Sequence, residues 1–370
     1  MNFDFSDDLK ALRDHARKFL TEHCPPKSAR RVLEGEALYD RALWLKLAEM
    51  GWLGAAVPEE FGGAGLGYEG LCVLAEELGQ ALAPVPFASS AYLATEAILA
   101  AGSPGQKQSH LPKLAGGETI GTLALAEGPG NPNPARLKAT VSRGKLSGTK
   151  LPVADGSIAD LAVVLALESG KPALFLVDLN GPGVVRETIA TIDPSRDHAR
   201  LIFTEAPAEP LGASGEGWDI TRRLLDRAAI LIAFEQVGGA QACLDMAKNY
   251  ALERYAFGRP IGSFQAIKHK LADVYIATEL ARSNAYYGAW ALASDAAELP
   301  LAAAAARVAA TEAFHLASKE NIQTHGGMGF TWEFDCHLYY RRSKHLALTL
   351  GSMPWWQDRL IAELETRTAR

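Results

Sequence analysis

The sequence predicts an α+β chain: a helical N-terminal domain over residues 1–118, an antiparallel β-domain over 119–212, and a C-terminal four-helix bundle over 213–370. Three observations predict it. Apolar residues recur at helical spacing through the first third. Between 119 and 212 the texture changes to short β-branched or alternating segments separated by Gly, Pro, Asp and Ser. From 213 onward long Ala- and Leu-rich periodic stretches return, enough for a bundle.

In chain order, "SDDLKALRDHARKFLTEH" sets Leu9, Leu12, His15, Ala16 and Leu20 near one helical face, with Ser6 as N-cap. "RALWLKLAEMGWLG" and "GYEGLCVLAEELGQAL" repeat that period. The intervening "VPEEFGGAGLG" is a glycine-rich loop with no strand before it, which excludes a dinucleotide fingerprint. "TIGTLALAE", "ADLAVVLAL", "PALFLVDL" and "ARLIFTEA" read as strands, with "SRGKLSG" and "LNGPGV" as hairpin connections. The predicted C-terminal helices are 218–252, 260–294, 301–325 and 333–364, with Gly326 stopping the third.

The 370 residues are more than one compact core usually covers, and 48% apolar with 22% charged residues is ordinary for a soluble globular protein. A net charge of -6 with no basic tract excludes an electrostatic case for nucleic acid, so an anionic partner must meet a local pocket. Cys24, Cys72, Cys243 and Cys336 lie far apart with no CxxC pair, which argues against a metal site or a disulfide framework. Charge from residue 4 leaves no apolar leader region, and the longest uncharged run, Gln80–Thr95, is 16 residues long and broken by Pro84 and Pro86. The expectation is a cytoplasmic protein without a membrane span.

Two stretches carry candidate chemistry. In "ERYAFGRPIGSFQAIKHKLADV", 253–274, a basic aromatic corner precedes an amphipathic helix. Arg254 and Arg259 have the fork geometry that pairs with phosphate, Phe257 can cover a flat heterocycle, and Gln265 can bind an amide or a sugar hydroxyl. A helix corner with solvated arginines explains the same residues. In "QTHGGMGF", 323–330, three glycines allow close backbone approach to a ligand, where a helix C-cap needs one.

These motifs, R-x-x-F-G-x-x-I-x-x-x-Q (Arg254, Phe257, Gly258, Ile261, Gln265) and Q-x-x-G-G-x-G (Gln323, Gly326, Gly327, Gly329), resemble those of the acyl-CoA dehydrogenase family. So do "LAEMGWLGAAVPEEFGGAGLG" and the N-terminal helix, and the resemblance covers essentially the whole chain. It implies an acyl-CoA dehydrogenase-like fold, FAD as cofactor, an acyl-CoA thioester as substrate, a homo-oligomer or a sister subunit as partner, and an electron-transferring flavoprotein as acceptor. It also implies that Arg254, Phe257, Gln265, Gln323, Gly326 and Gly327 serve the diphosphate and adenosine end of an FAD bound to a neighbouring subunit.

The chain departs from the family where chemistry is expected. The common catalytic Glu position holds Leu350, followed by the matching Gly351 and Ser352. The alternative Glu position, on the first long helix of the C-terminal domain, holds Ala228, with Ala229 where an Arg usually follows. The β-domain segments that meet the flavin ring read "LAEGPGNPNP" and "KLPVADG", leaving the backbones of Ala126 and Ala154 to serve and Pro152 where an aromatic is usual. Asp226 matches a family position near the pantetheine arm. Glu235, flanked by apolar residues and seven positions beyond Ala228, is either a displaced base or a buried carboxylate paired with an adjacent helix or subunit. Three readings follow: one subunit of a heteromeric dehydrogenase, as known for family members in steroid side-chain degradation; a self-sufficient homo-oligomer with a displaced base; and a flavin- or acyl-CoA-binding scaffold without turnover.

Overall fold

The computed structural model describes residues 5–368, so the start of the leader reading, residues 1–4, lies outside it. The first helices are α1 (Asp7–His23), α2 (Pro26–Leu33), α3 (Arg41–Glu49), α4 (Gly67–Gln80), α5 (Glu96–Ala101) and α6 (Pro104–Ala115), with a π-helical turn at Ala88–Thr95. The strands are β1 (Gly121–Ala124), β2 (Thr140–Ser142), β3 (Lys145–Ala154), β4 (Leu161–Glu168), β5 (Lys171–Asp178), β6 (Val184–Thr188), β7 (His198–Pro207) and β8 (Glu209–Leu211). Then follow α7 (Gly217–Glu253), the short β9 (Tyr255–Ala256) and β10 (Arg259–Pro260), α8 (Gln265–Ala293), α9 (Leu299–His325), α10 (Cys336–Leu348) and α11 (Met353–Thr368). Helices, sheet and helices succeed one another as the patterning predicts.

By compactness the chain divides into two units, the first holding the described residues of Met1–Arg31, Cys72–Ala83 and Ala229–Arg370. Here α1 starts where Ser6 accepts the Leu9 N–H at 3.3 Å, the expected N-cap. Ala16 and Leu20 are buried, whereas His15 is exposed, against the expected face. Arg13 and Arg282 both pair with the buried Glu76, and Arg17 grips Glu77 with two bonds of 2.7 and 3.0 Å. These pairs join α1, α4 and α8 through charges that satisfy one another. The second half of α4 crosses α7 in backbone contact. A Cβ at Gly79 would lie 2.1 Å from the Glu235 carbonyl oxygen, and one at Gly238 would lie 1.9 Å from that of Glu76. Only glycine fits at such a crossing.

The second unit, Val32–Leu71 with Pro84–Ala228, contains the sheet. Its order is β6-β7-β3-β2-β4-β5-β8, with β1 also beside β4. The expected antiparallel sheet is in fact mixed, because β1 and β2 both run parallel to β4, against Leu161–Val164 and Leu167–Glu168. Both reach β4 through connections long enough for a crossover, which parallel pairing needs and a short-range reading of turns does not reveal. Arg143 (φ 51°) and Gly144 (φ 71°) form the tight β2–β3 hairpin expected at "SRGKLSG". "LNGPGV" is no hairpin, since it delivers the chain to β6, whose partner is β7.

Two further expectations change in the bundle. The helix predicted over 260–294 begins at Gln265, after Pro260 and a 3-10 turn at Ile261–Ser263. The helix predicted over 333–364 is two, α10 and α11, separated by a turn at Thr349–Ser352. The four cysteines are buried and form no disulfide among the described residues. No helix among the described residues is long and apolar enough to cross a membrane.

Candidate functional site

The basic corner is a β-hairpin at the end of α7. Strands β9 and β10 pair antiparallel across Phe257 (φ 54°) and Gly258 (φ 79°), two left-handed residues as a type I′ turn requires. Phe257 is 95% exposed, an unusual position for a large apolar ring, and stands edge-on to Phe264 at 6.2 Å. The Arg259 guanidinium lies over the Phe264 ring at 4.1 Å, while Arg254 and Gln265 are exposed. The corner thus presents cations, a carboxamide and a bare ring together.

The glycine stretch closes α9. Gly326 has φ 61° and ψ -138°, a backbone conformation closed to residues with a side chain, and it stops the helix as predicted. A Cβ at Gly326 or Gly327 would meet nothing within 4 Å, so this backbone is open to a ligand. Gly329 serves packing instead, since a Cβ there would lie 2.5 Å from the Ile322 carbonyl oxygen. Gln323 is exposed on the last turn of α9.

What joins the two motifs is a pair the sequence did not mark for that role. His325 donates from Nδ1 to the Asn321 carbonyl at 2.8 Å and stacks on Tyr250 at 4.1 Å. Tyr250 in turn accepts the Arg254 N–H on its carbonyl at 2.8 Å. Burial pushes the His325 imidazole below its usual pKa, so the ring serves as a neutral packing element. The corner and the glycine turn are therefore held side by side within one unit.

In the β-domain Ala126 and Ala154 sit on the two segments that the resemblance assigns to the flavin ring. The first segment pairs with the second through Leu151, whose N–H donates to Ala126 O at 2.7 Å and whose carbonyl accepts from Gly128 at 2.8 Å. Ala154 ends β3 and accepts the Thr122 hydroxyl on its carbonyl at 2.6 Å. A buried ion pair beneath them escaped sequence reading. Lys150, with 0% exposure, meets Glu127 at 2.7 Å, and Glu127 also accepts the N–H groups of Lys138 and Ala139. A lysine inside an alternating strand was the available signal. Beyond Ala154, Asp155 is buried in left-handed conformation (φ 53°) and accepts the Ser89 hydroxyl at 2.5 Å. Its burial raises the carboxyl pKa, although Arg196 and His198 oppose that shift.

At the two expected base positions no carboxylate stands. Ala228 is 1% exposed inside α7, and Leu350 is half-buried with φ 65°. A leucine in the left-handed region is strained, and such strain clusters at functional turns. Gly351 (φ 117°) follows, packed against Trp355, and the Ser352 carbonyl accepts the Trp356 N–H at 3.2 Å. Asp226 is buried on α7. Beside it in sequence, Arg227 pairs with Glu96 at 2.6 Å and covers the Tyr68 ring at 4.5 Å, a cluster absent from the sequence reading. Burial and the Glu96 charge push the Tyr68 phenol up to about 12. Glu235 is 1% exposed at the α4–α7 crossing, two turns along α7 from Ala228.

The donor set fits FAD: guanidinium groups for a diphosphate, an exposed ring and carboxamides for the adenosine end, and glycine backbone free of obstruction.

Comparison with known proteins gives the same answer from an independent side. Residues 6–118 match the model of the acyl-CoA dehydrogenase N-terminal domain and residues 215–362 that of the C-terminal domain. Acyl-CoA dehydrogenase IpdE2 of Mycobacterium tuberculosis is 37% identical over 349 residues, covering 94% of each chain. The human mitochondrial short-chain specific acyl-CoA dehydrogenase is 35% identical over 91% of this chain and 84% of its own. Among solved structures, the ChsE4-ChsE5 complex of M. tuberculosis aligns with a TM-score of 0.90 at 30% identity, over 99% of both chains. A variant of the Tcur3481-Tcur3483 steroid ACAD aligns at 0.88 and 33%, over 98% of this chain and 99% of that one. With the FAD-type donor set in place, the whole length of the fold shared and both family models matched, the chain belongs to the acyl-CoA dehydrogenase family, the FAD-dependent oxidoreductases of acyl-CoA thioesters.

Proposed function

We propose that this chain serves the α,β-dehydrogenation of an acyl-CoA thioester as the subunit that completes an FAD site for a sister chain, which brings the catalytic carboxylate. The observation that carries this reading is an asymmetry. The corner of Arg254, Phe257 and Gln265 and the turn of Gln323, Gly326 and Gly327 are fully supplied, whereas the base positions hold Ala228 and Leu350. Relatives described as a complex of two named chains and as a steroid ACAD support it.

In this reading Arg254 neutralises the diphosphate, Phe257 covers the adenine face, and Gln265 and Gln323 hold polar groups of the adenosine end. The glycine backbone allows the approach. Ala126 and Ala154 offer main-chain groups to the ring, Ser352 a hydroxyl, and Asp226 lies toward the pantetheine arm. When bound, FAD supplies the acceptor for the hydride that leaves Cβ as the α-proton is removed by a base. An electron-transferring flavoprotein is the physiological acceptor.

The competing reading has a specific observation behind it, the buried Glu235 on the same helix as Ala228. There the chain is self-sufficient and Glu235 removes the α-proton. Purifying the chain alone and recording its visible flavin band discriminates. Stoichiometric FAD, bleached anaerobically by an acyl-CoA, with loss of bleaching in Glu235→Gln at unchanged melting temperature, would establish the second reading. Little or no flavin alone, and full flavin with turnover on co-purification with a sister dehydrogenase subunit, is the expected result. Flavin that no acyl-CoA bleaches in either preparation points to a scaffold.

A further inference from the structure

Between α10 and α11 the chain turns at Thr349–Ser352, where Gly351 and the following Pro354 mark a helix end. They do not account for Leu350, a leucine that takes φ 65° ahead of the glycine. A second hold on the turn comes from another helix. Arg307 of α9 is 1% exposed and, among the described residues, has no carboxylate partner. Its Nη2 donates to the carbonyls of Leu346 and Thr349, the latter at 2.8 Å. Its Nη1 donates to Gln236 Oε1 at 2.5 Å and to the Thr311 hydroxyl at 2.8 Å, which fixes the fork from α7 and from its own helix.

The identity of the two carbonyls is what gives this arrangement meaning. In a continuous helix Leu346 O would accept the N–H of Leu350, and Thr349 O that of Met353. Arg307 takes both acceptors from the side, and a cation is favourable at the C-terminal end of a helix dipole. Burial without a compensating charge lowers the guanidinium pKa to about 9, so holding this cation here costs stability.

We propose that Arg307 is a positioning residue: it ends α10 at Leu348 and holds Thr349–Ser352 as an open turn, so that Ser352 and the adjoining backbone face the cofactor. The proposal rests on the reading of Ser352 as an FAD contact. Gln236 and Thr311 orient the fork, and the strained Leu350 is the consequence of the capture.

The test uses the intact chain, with its sister subunit where FAD requires one, in the variants Arg307→Met, Arg307→Lys and Ser352→Ala. Amide hydrogen exchange reads the turn, and flavin fluorescence reads FAD affinity. Arg307→Met should free the turn from this hold, speeding exchange at Thr349 and Gly351, whose N–H groups now donate to His345 and Leu348, by about tenfold or more and weakening FAD by about tenfold, the scale of one lost charge-assisted bond. Arg307→Lys, which keeps charge and volume but has no fork, should show a smaller change of the same sign. It decides the matter if the methionine variant does not fold. Exchange within twofold of the parent in the folded variants overturns the proposal, as does a loosened turn with unchanged FAD affinity while Ser352→Ala weakens it. Unchanged affinity in Ser352→Ala alone overturns the reading of Ser352, and exchange at Thr349 and Gly351 then still decides whether Arg307 holds the turn.

Discussion

Glu127→Ala offers the sharpest test of how the β-domain is held. Among the described residues, the substitution leaves the Lys150 ammonium, fully buried, with only the Leu125 carbonyl at 3.2 Å. It also strips the acceptor from the N–H groups of Lys138 and Ala139, which anchor the far end of the loop. Removing one partner of a buried pair costs about 3–5 kcal/mol. A ceiling comes from the escape open to the lysine, which is to lose its proton. Against an ordinary pKa of 10.5, neutralisation costs about 5 kcal/mol at pH 7 and about 2 kcal/mol at pH 9, at 1.36 kcal/mol per unit. Burial already lowers the Lys150 pKa in the intact pair. The folded state therefore sheds a proton that the unfolded state keeps up to the ordinary value, and stability rises with pH across that window. In Glu127→Ala the window widens downward, so the deficit should shrink by more than half between pH 7 and pH 9. Urea denaturation at both pH values measures it, with Glu127→Ala/Lys150→Met as the control, since an apolar replacement of both partners should recover most of the loss. A deficit below about 1 kcal/mol that stays flat with pH would refute the assignment of the loop's rigidity to this pair.

Two further outcomes are expected. Asp155 is an acid whose folded pKa is raised by burial, so the native state holds a proton that the unfolded state releases; its contribution is intact below the ordinary value of 3.8 and declines as pH rises toward the folded pKa. Asp155→Asn should remove that decline, gaining stability relative to the parent at pH 7 more than at pH 4, as read by melting temperature. Gly327→Ala adds a methyl group to open space, so the melting temperature should stay within about 1–2 °C of the parent while FAD affinity falls by about tenfold or more. Unchanged affinity measured by flavin fluorescence would remove Gly327 from the cofactor site.

The legible parts of this chain are those whose cause is local. Ser6 caps α1 because its hydroxyl reaches a donor three residues on, and Gly326 ends α9 because the conformation it adopts excludes side chains. Both causes are written where their effects occur. Parallel pairing of β1 and β2 with β4 is invisible for the opposite reason, since the partner lies some tens of residues away. The same holds for Lys150 with Glu127 and for the His325–Tyr250 stack that brings the two candidate motifs together. At 333–364 the break is legible in the sequence, since Gly351 and Pro354 mark a helix end, and the expectation of one helix wrongly carries the apolar period across them.

That last failure bears on the proposed function. A chain with no use for this turn could dispense with Gly351 and Pro354 and let α10 run into α11, relieving the left-handed leucine and leaving Arg307 no free carbonyls to hold. Leu350 instead keeps a strained conformation worth about 1–2 kcal/mol, and Arg307 remains desolvated beneath it. No carboxylate stands at Leu350, where the family resemblance places the base, while the turn around it is held in place. A subunit that still shapes a cofactor site needs the turn and not the base; a subunit that had ceased to contact the cofactor would need neither. A turn held in place around Leu350 is thus what the proposed reading expects, a chain that binds for a partner's chemistry and not one that binds nothing.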